Sequence, residues 1–145
     1  MRYVYPVTVE QDEEGRYLAV APDVPEALTD GETPEQALRE MSDALGAALA
    51  GYAKAGQALP APSATGTDVH WVPVAPLVAA KLALRSAMRE EDVSNVALAQ
   101  RLGLSEGAVR RLVDPDHSSR LDGVIRALTE LGHELIIEDR KQSAA

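Results

Sequence analysis

The sequence predicts an α+β protein: a small three-stranded antiparallel sheet with one helix across it, then an all-α helix-turn-helix region ending in a dimerising strand. Short runs of alternating apolar and polar residues lie between Arg2 and Thr29, each closed by Gly, Pro or Asp. From Thr33 the apolar spacing becomes helical, and after a small-residue break it resumes at Pro76. Between Leu98 and Leu112 two short apolar stripes meet at Gly103, the signature of two helices joined by a tight turn.

In the first strand Tyr3, Tyr5, Val7 and Val9 share one side, with Val4, Thr8 and Glu10 on the other. Pro6 cannot donate to a ladder, which points to an edge strand or a local irregularity. Asp12-Glu13-Glu14-Gly15 is a turn, Arg16 to Ala21 returns as the second strand, and Pro22-Asp23-Val24-Pro25 breaks it. Ala27-Leu28-Thr29 is a short third strand. Thr33 then suits an N-cap, Pro34 the first helical position, and Gln36 a capping box. Ala37, Leu38, Met41, Ala44, Leu45, Ala48, Leu49 and Tyr52 continue this helix as one stripe until Gly56 ends it.

Residues 57–68, with Pro60, Pro62, Ser63 and Gly66, have linker composition, and His70 to Val74 reads as a short extended piece. Pro76 opens a helix to about Met88, on which Lys81, Arg85 and Arg89 form a basic stripe that a solvated face explains as well as DNA does. Ser94 or Asn95 caps the next helix, and Gly103 supplies a left-handed terminator. Leu104 is expected to plug the corner, and Ser105 to cap the following helix by accepting from the amide of Ala108. Ala108, Val109 and Leu112 then face inward. A polar loop follows, and Leu121, Val124, Ile125, Leu128 and Leu131 form a last helix closed by Gly132. His133 to Asp139 reads as a strand with no partner in its own half, so Leu135, Ile136 and Ile137 are expected to pair across a two-fold axis with a second copy. The resulting division is residues 1–59, a linker at 60–75, a helical domain at 76–140, and a disordered tail at 141–145.

Composition removes several classes of function. With no cysteine, disulfides and thiolate metal sites are excluded. His70, His117 and His133 are scattered, so no metal site or cofactor is expected. No run approaches a membrane span and the start lacks a basic-then-apolar signal, which favours the cytoplasm. The net charge of −9 divides unevenly: residues 1–63 carry eleven acids and four bases, the remainder twelve and ten. The first part therefore suits a basic partner or simple solubility, and one face of the second can still be positive.

The chain resembles the HicB family of bacterial antitoxins, in its helix-turn-helix subtype. The likeness runs through Tyr5-Pro6-Val7, Gly15-Arg16-Tyr17, Pro22-Asp23-Val24-Pro25, and Asp30-Gly31-Glu32-Thr33 leading into Glu35-Gln36-Ala37. It continues through Val93-Ser94-Asn95, Leu98-Ala99, Leu102-Gly103-Leu104-Ser105, Val109-Arg110-Arg111-Leu112 and Leu131-Gly132. One departure is Glu26, where the family usually has glycine. The resemblance implies a truncated ribonuclease H-like first domain that neutralises a small HicA-type mRNA-cleaving toxin, and a second that represses the shared operon by binding double-stranded operator DNA.

On that footing Glu10, Asp12, Glu13, Glu14, Tyr17, Asp23, Glu26 and Glu32 form the expected toxin-contact region. Ser105, Glu106, Gly107 and Arg111 are expected to face the DNA groove, with Arg111 reading guanine. Asn95, Arg110, Ser118, Ser119 and Arg120 are expected to meet phosphates. A homodimer or higher even oligomer would bind an inverted repeat. The competing reading is a free-standing regulator whose first domain senses a small ligand. Catalysis of the ribonuclease H kind needs carboxylates clustered on the strands to hold metal ions, whereas these acids lie in turns and on a helix face, so no enzyme is expected.

Overall fold

The computed structural model describes residues 1–142. The expected tail at 141–145 therefore falls, in its last three residues, outside the described residues. Strands β1 (Val4–Gln11), β2 (Tyr17–Val20) and β3 (Leu28–Gly31) precede helix α1 (Pro34–Lys54). Strand β4 (His70–Pro73) follows, then α2 (Pro76–Glu90), α3 (Asn95–Leu102), α4 (Glu106–Val113) and α5 (Leu121–Glu130).

The sheet has four antiparallel strands in the order β3-β2-β1-β4, one more than the sequence suggests. The extra strand comes from the stretch read as linker. It pairs Val4 with Pro73 and Val7 with His70. That places β1 inside the sheet rather than at its edge, despite Pro6. The explanation is ladder parity. The Val74 amide donates to the Tyr3 carbonyl at 2.9 Å, so Tyr5–Val72 and Val7–His70 are the bonded pairs. Pro6 and Pro73 fall on the alternate positions, where neither ring costs the β1–β4 ladder a bond. On its other side β1 meets β2 only from Thr8 onward, beyond Pro6.

One sheet face packs on α1. Tyr5, Val7 and Ala19 are fully buried there against Met41, Leu45 and Leu49. Thr33 caps α1 by accepting from the Gln36 amide at 3.1 Å, and Gln36 Oε1 returns a bond from the Glu32 amide at 2.8 Å. The cap reaches one residue further back than a standard capping box. The expected linker is pinned to the sheet: Tyr5 Oη donates to the Pro60 carbonyl at 2.7 Å, and the Asp23 carboxylate accepts from the Ser63 amide and hydroxyl.

Helix α2 belongs to both halves of the chain. Leu82 is buried in the sheet-side core, while Ala80, Leu84, Ala87 and Met88 are buried among α3, α4 and α5. A Cβ added at Gly46 on α1 would lie 3.3 Å from Val78 of α2, so the small residue permits the close approach of these helices. The basic stripe on α2 is solvated only in part. Lys81 is fully buried, Arg89 is exposed with its Nε donating to the Gly56 carbonyl, and Arg85 is half-buried.

The C-terminal segment, expected to pair with a second copy, has no such partner within one chain. Residues 133–142 form no strand within one chain: they reach the sheet edge only through side chains, Glu138 paired with Arg2 at 2.9 Å and Arg140 donating to the Trp71 carbonyl of β4, and make no backbone ladder there. The His133 amide closes α5 on the Leu128 carbonyl, and Leu135 packs on the second core. Ile136 and Ile137 stand 85% and 76% exposed.

Leu82 offers a direct test of the shared helix. Replacing it with alanine is expected to cost about 2–5 kcal/mol, measured by urea unfolding. A fragment ending at residue 63 lacks Val72, Val74 and Leu82 of the first core, and is expected to lose cooperative melting by circular dichroism.

Candidate functional site

The expected acidic contact residues divide between the two ends of the sheet. Gln11 opposite Tyr17, and Tyr17 opposite Gly31, bring the β1–β2 turn beside the start of α1. Glu10, Asp12, Glu13, Glu14 and Glu32 are exposed at this end, with Tyr17 half-buried among them. Asp23 and Glu26 sit in the β2–β3 connection at the far end, roughly 13 Å away for four residues of strand.

Several of these carboxylates are already engaged. The Asp12 carboxylate accepts from the amides of Glu14 and Arg16, both at 2.9 Å, and so shapes the hairpin turn. Glu26 accepts from Tyr52 Oη at 2.7 Å, which raises the Tyr52 pKa. Arg16, the base of the acidic end, is held by Asp30 at 2.9 Å and has its pKa raised by that bond. Glu10, Glu13 and Glu14 make no hydrogen bond or ion pair through their carboxylates among the described residues. They leave uncompensated negative charge at the hairpin.

The face of the sheet opposite α1 carries a feature the sequence reading passed over. Thr8, Val20 and Leu28 form one row across it, and Pro6 with Trp71 another. Leu28 is 56% exposed, and no helix among the described residues packs on this side. The signal was present in Leu18, Val20 and Leu28, which alternate with residues of the buried face.

On the other half of the chain, Ser94 and Ser105 cap α3 and α4, accepting from Ala97 and Ala108, each at 3.1 Å. Gly103 adopts φ +67°, a left-handed conformation, and the Leu104 amide closes on the Ala99 carbonyl. Leu104 does not plug the corner. It is 38% exposed, because the turn directs it outward while Leu98, Leu102 and Val109 fill the junction.

Exposed side chains on and around α4 include Ser105, Arg110, Arg111, Ser118 and Arg120, while Glu106, Gly107 and Asn95 are half-buried. Arg110 is paired with Glu106 one turn earlier, and its pKa is raised by that contact. Arg111 has no ion-pair partner among the described residues, so its guanidinium is free to bind elsewhere. Arg120 lies 3.6 Å from Asp122 and is strongly exposed. Ser119 is turned inward, its hydroxyl 2.7 Å from Lys81 Nζ. Lys81 is a candidate that the sequence does not separate from Arg85 and Arg89, with which it shares a stripe open to either solvent or DNA. No cluster of three or more metal-binding side chains occurs among the described residues, and no helix there is long and apolar enough to cross a membrane.

An acidic sheet end and an arginine-bearing helix, joined by a shared core helix, define a chain with two distinct polar surfaces. The family model described as "HicB_like antitoxin of bacterial toxin-antitoxin system" matches residues 4–83. Among curated relatives, "Antitoxin HicB 1" of Photorhabdus laumondii subsp. laumondii is 38% identical over 133 residues, 92% of this chain and 84% of the relative. "Antitoxin HicB" of Escherichia coli (strain K12) is 35% identical over 131 residues, covering 90% of this chain and 95% of that protein. The Pseudomonas fluorescens "Antitoxin HicB" is 34% identical over 136 residues, 93% and 92% of the two chains. The chain belongs to the HicB-like antitoxin family.

The hairpin turn gives a prediction separable from binding. Asp12→Ala removes the acceptor for two amides and is expected to lower stability by about 1 kcal/mol in urea unfolding. Glu13→Ala, which engages nothing, is expected to leave it unchanged within about 0.5 kcal/mol.

Proposed function

We propose that this chain neutralises a small, basic, HicA-type mRNA-cleaving toxin through its sheet half and represses its own operon through α3 and α4. It acts by binding rather than by catalysis. The sheet and α1 are read as a truncated ribonuclease H-like layer, and α3–Gly103–Leu104–Ser105–α4 as a helix-turn-helix. The observation that carries the reading is the separation of charge. Residues 1–63 hold eleven acids against four bases, whereas Arg110 and Arg111 stand exposed on α4. An enzyme that cleaves RNA must attract phosphate, so a basic toxin is complementary to the acidic hairpin. Such complementarity chiefly accelerates encounter.

On the DNA side, Ser105, Glu106, Gly107 and Arg111 face the groove, and Asn95, Arg110, Ser118 and Arg120 approach phosphates. Ser119 is proposed in the first instance as a support for the loop, since its hydroxyl is engaged by Lys81. Leu135, Ile136 and Ile137 supply a pairing segment to a second copy, placing two α4 helices about 34 Å apart on one face of the duplex.

The first test is co-purification of the full-length chain with the small basic protein encoded beside it. Stable capture is the expected result; its absence would move a ligand-sensing regulator to first place. Reversing charge with Glu13→Lys and Glu14→Lys together is expected to slow toxin association at low salt by at least about tenfold, with the melting curve little changed. Arg111→Ala is expected to weaken operator binding by roughly 10- to 100-fold in a fluorescence-anisotropy titration, while leaving toxin capture intact.

A further inference from the structure

Lys81 is the one buried charged residue among the described residues, and it has no carboxylate at ion-pairing distance. Its Nζ is instead held by the carbonyls of Arg111 and Asp114, each at 2.9 Å, the carbonyl of His117 at 2.5 Å, and Ser119 Oγ at 2.7 Å. An ammonium has three protons, so four acceptors fill its coordination completely. Burial pushes the Lys81 pKa below the usual lysine value, and the nearby Asp114 charge opposes that shift.

Every one of those acceptors lies in the last turn of α4 or the loop leading to α5. This same stretch presents Arg111, Ser118 and Arg120 outward. The loop's other ties are small: the Asp114 side chain accepts from the Asp116 amide, and the Asp114 carbonyl from the His117 amide. Without the ammonium, three carbonyls and a hydroxyl converge on an empty centre, and the weaker Ser119 hydroxyl contacts to the Arg111 carbonyl at 3.4 Å and to His117 at 3.3 Å are left to hold the loop against α4. On its far side the loop reaches α1, where Asp116 is paired with Lys54 at 2.6 Å.

We propose that Lys81 is a positioning residue for DNA recognition: from α2 it fixes the end of α4 and the 114–119 loop, so that Arg111, Ser118 and Arg120 meet the duplex together. Because α2 also fills the sheet-side core through Leu82, the same lysine ties the DNA-facing surface to the layer that carries the toxin-binding sheet. The proposal rests on the DNA-binding reading given above.

The test is Lys81→Met, which keeps the apolar stem as far as Cε but donates nothing. The full-length variant is titrated against the duplex immediately upstream of its gene over a range of salt, and toxin affinity is measured in parallel. Operator affinity is expected to fall at least tenfold, and the slope of log K against log[salt] to shrink by about one unit as a phosphate contact is lost. Toxin affinity is expected to stay within twofold. Equal losses of operator and toxin affinity would reduce Lys81 to general folding and overturn the proposal. If the methionine variant does not melt cooperatively, Lys81→Gln, which retains two N–H donors, is read in its place by the same criteria. Undiminished operator binding by the variant that folds would overturn the assignment of Lys81 alone. Failure of the wild type to bind the duplex would instead overturn the DNA-binding reading, and the proposal with it.

Discussion

A buried ammonium with no carboxylate at ion-pairing distance constrains this structure more than any other single group. Taking a charge out of water is expensive, and Lys81 recovers that cost chiefly through oxygen dipoles, with the Asp114 charge nearby but not at ion-pairing distance. Carbonyls can serve only if the backbone that bears them follows one path. The demand of one side chain on α2 thereby becomes a restraint on the end of α4 and on the loop beyond it. The tightness of that loop originates 30 or more residues earlier in the chain.

From this follows the relation between the two halves. Neither core is complete without α2, which sends Leu82 toward the sheet and Ala80, Leu84, Ala87 and Met88 toward the other helices. Gly46 lets α1 and α2 approach closely, and Lys54 of α1 reaches Asp116 of the loop that Lys81 holds. An exposed ion pair such as Lys54–Asp116 is a weak tie by itself. Its importance lies in location, since it joins the end of α1 to a loop whose other side faces away from the sheet.

What the sequence made legible was local. Thr33, Ser94 and Ser105 were readable as caps, and Gly103 and Gly132 as terminators, because each acts on amides or carbonyls within four residues. Strand β4 was not legible as part of the sheet. Its four residues include Pro73 and lie more than sixty positions from their partners on β1, and nothing in His70-Trp71-Val72-Pro73 names Val4 to Val7 as neighbours. Lys81 was hidden for a related reason: backbone carbonyls leave no mark in a sequence, so a lysine destined for them looks like any lysine on a helix face. The acidic residues are plain in the sequence, but their division between two sheet ends depends on strand register. The C-terminal pairing segment is legible as extended propensity at Leu135 to Ile137, but a ladder needs a partner strand, and the expected partner is a second copy that one chain does not contain.

The geometry also bears on how toxin and DNA binding would influence each other under the proposed assignment. The acidic hairpin lies beside Glu32 and Gln36 at the start of α1, whereas Asp116 meets that helix at Lys54, its last residue. A helix of 21 residues is roughly 30 Å long, which separates a hairpin-bound toxin from the DNA-facing loop by about the width of a small domain. A small toxin seated at the hairpin would therefore leave α4 uncovered, and direct steric exclusion of DNA is the weaker route. Influence between the surfaces must then travel through packed elements that touch both. Helix α1 meets this requirement, running from Gln36 beside the hairpin to Lys54 at the loop, and α2, packed on α1, would extend the route through Lys81. A ligand can shift α4 only to the extent that it prefers one arrangement of those helices over another. Two ties converging on one loop make its position a single variable that either surface can bias.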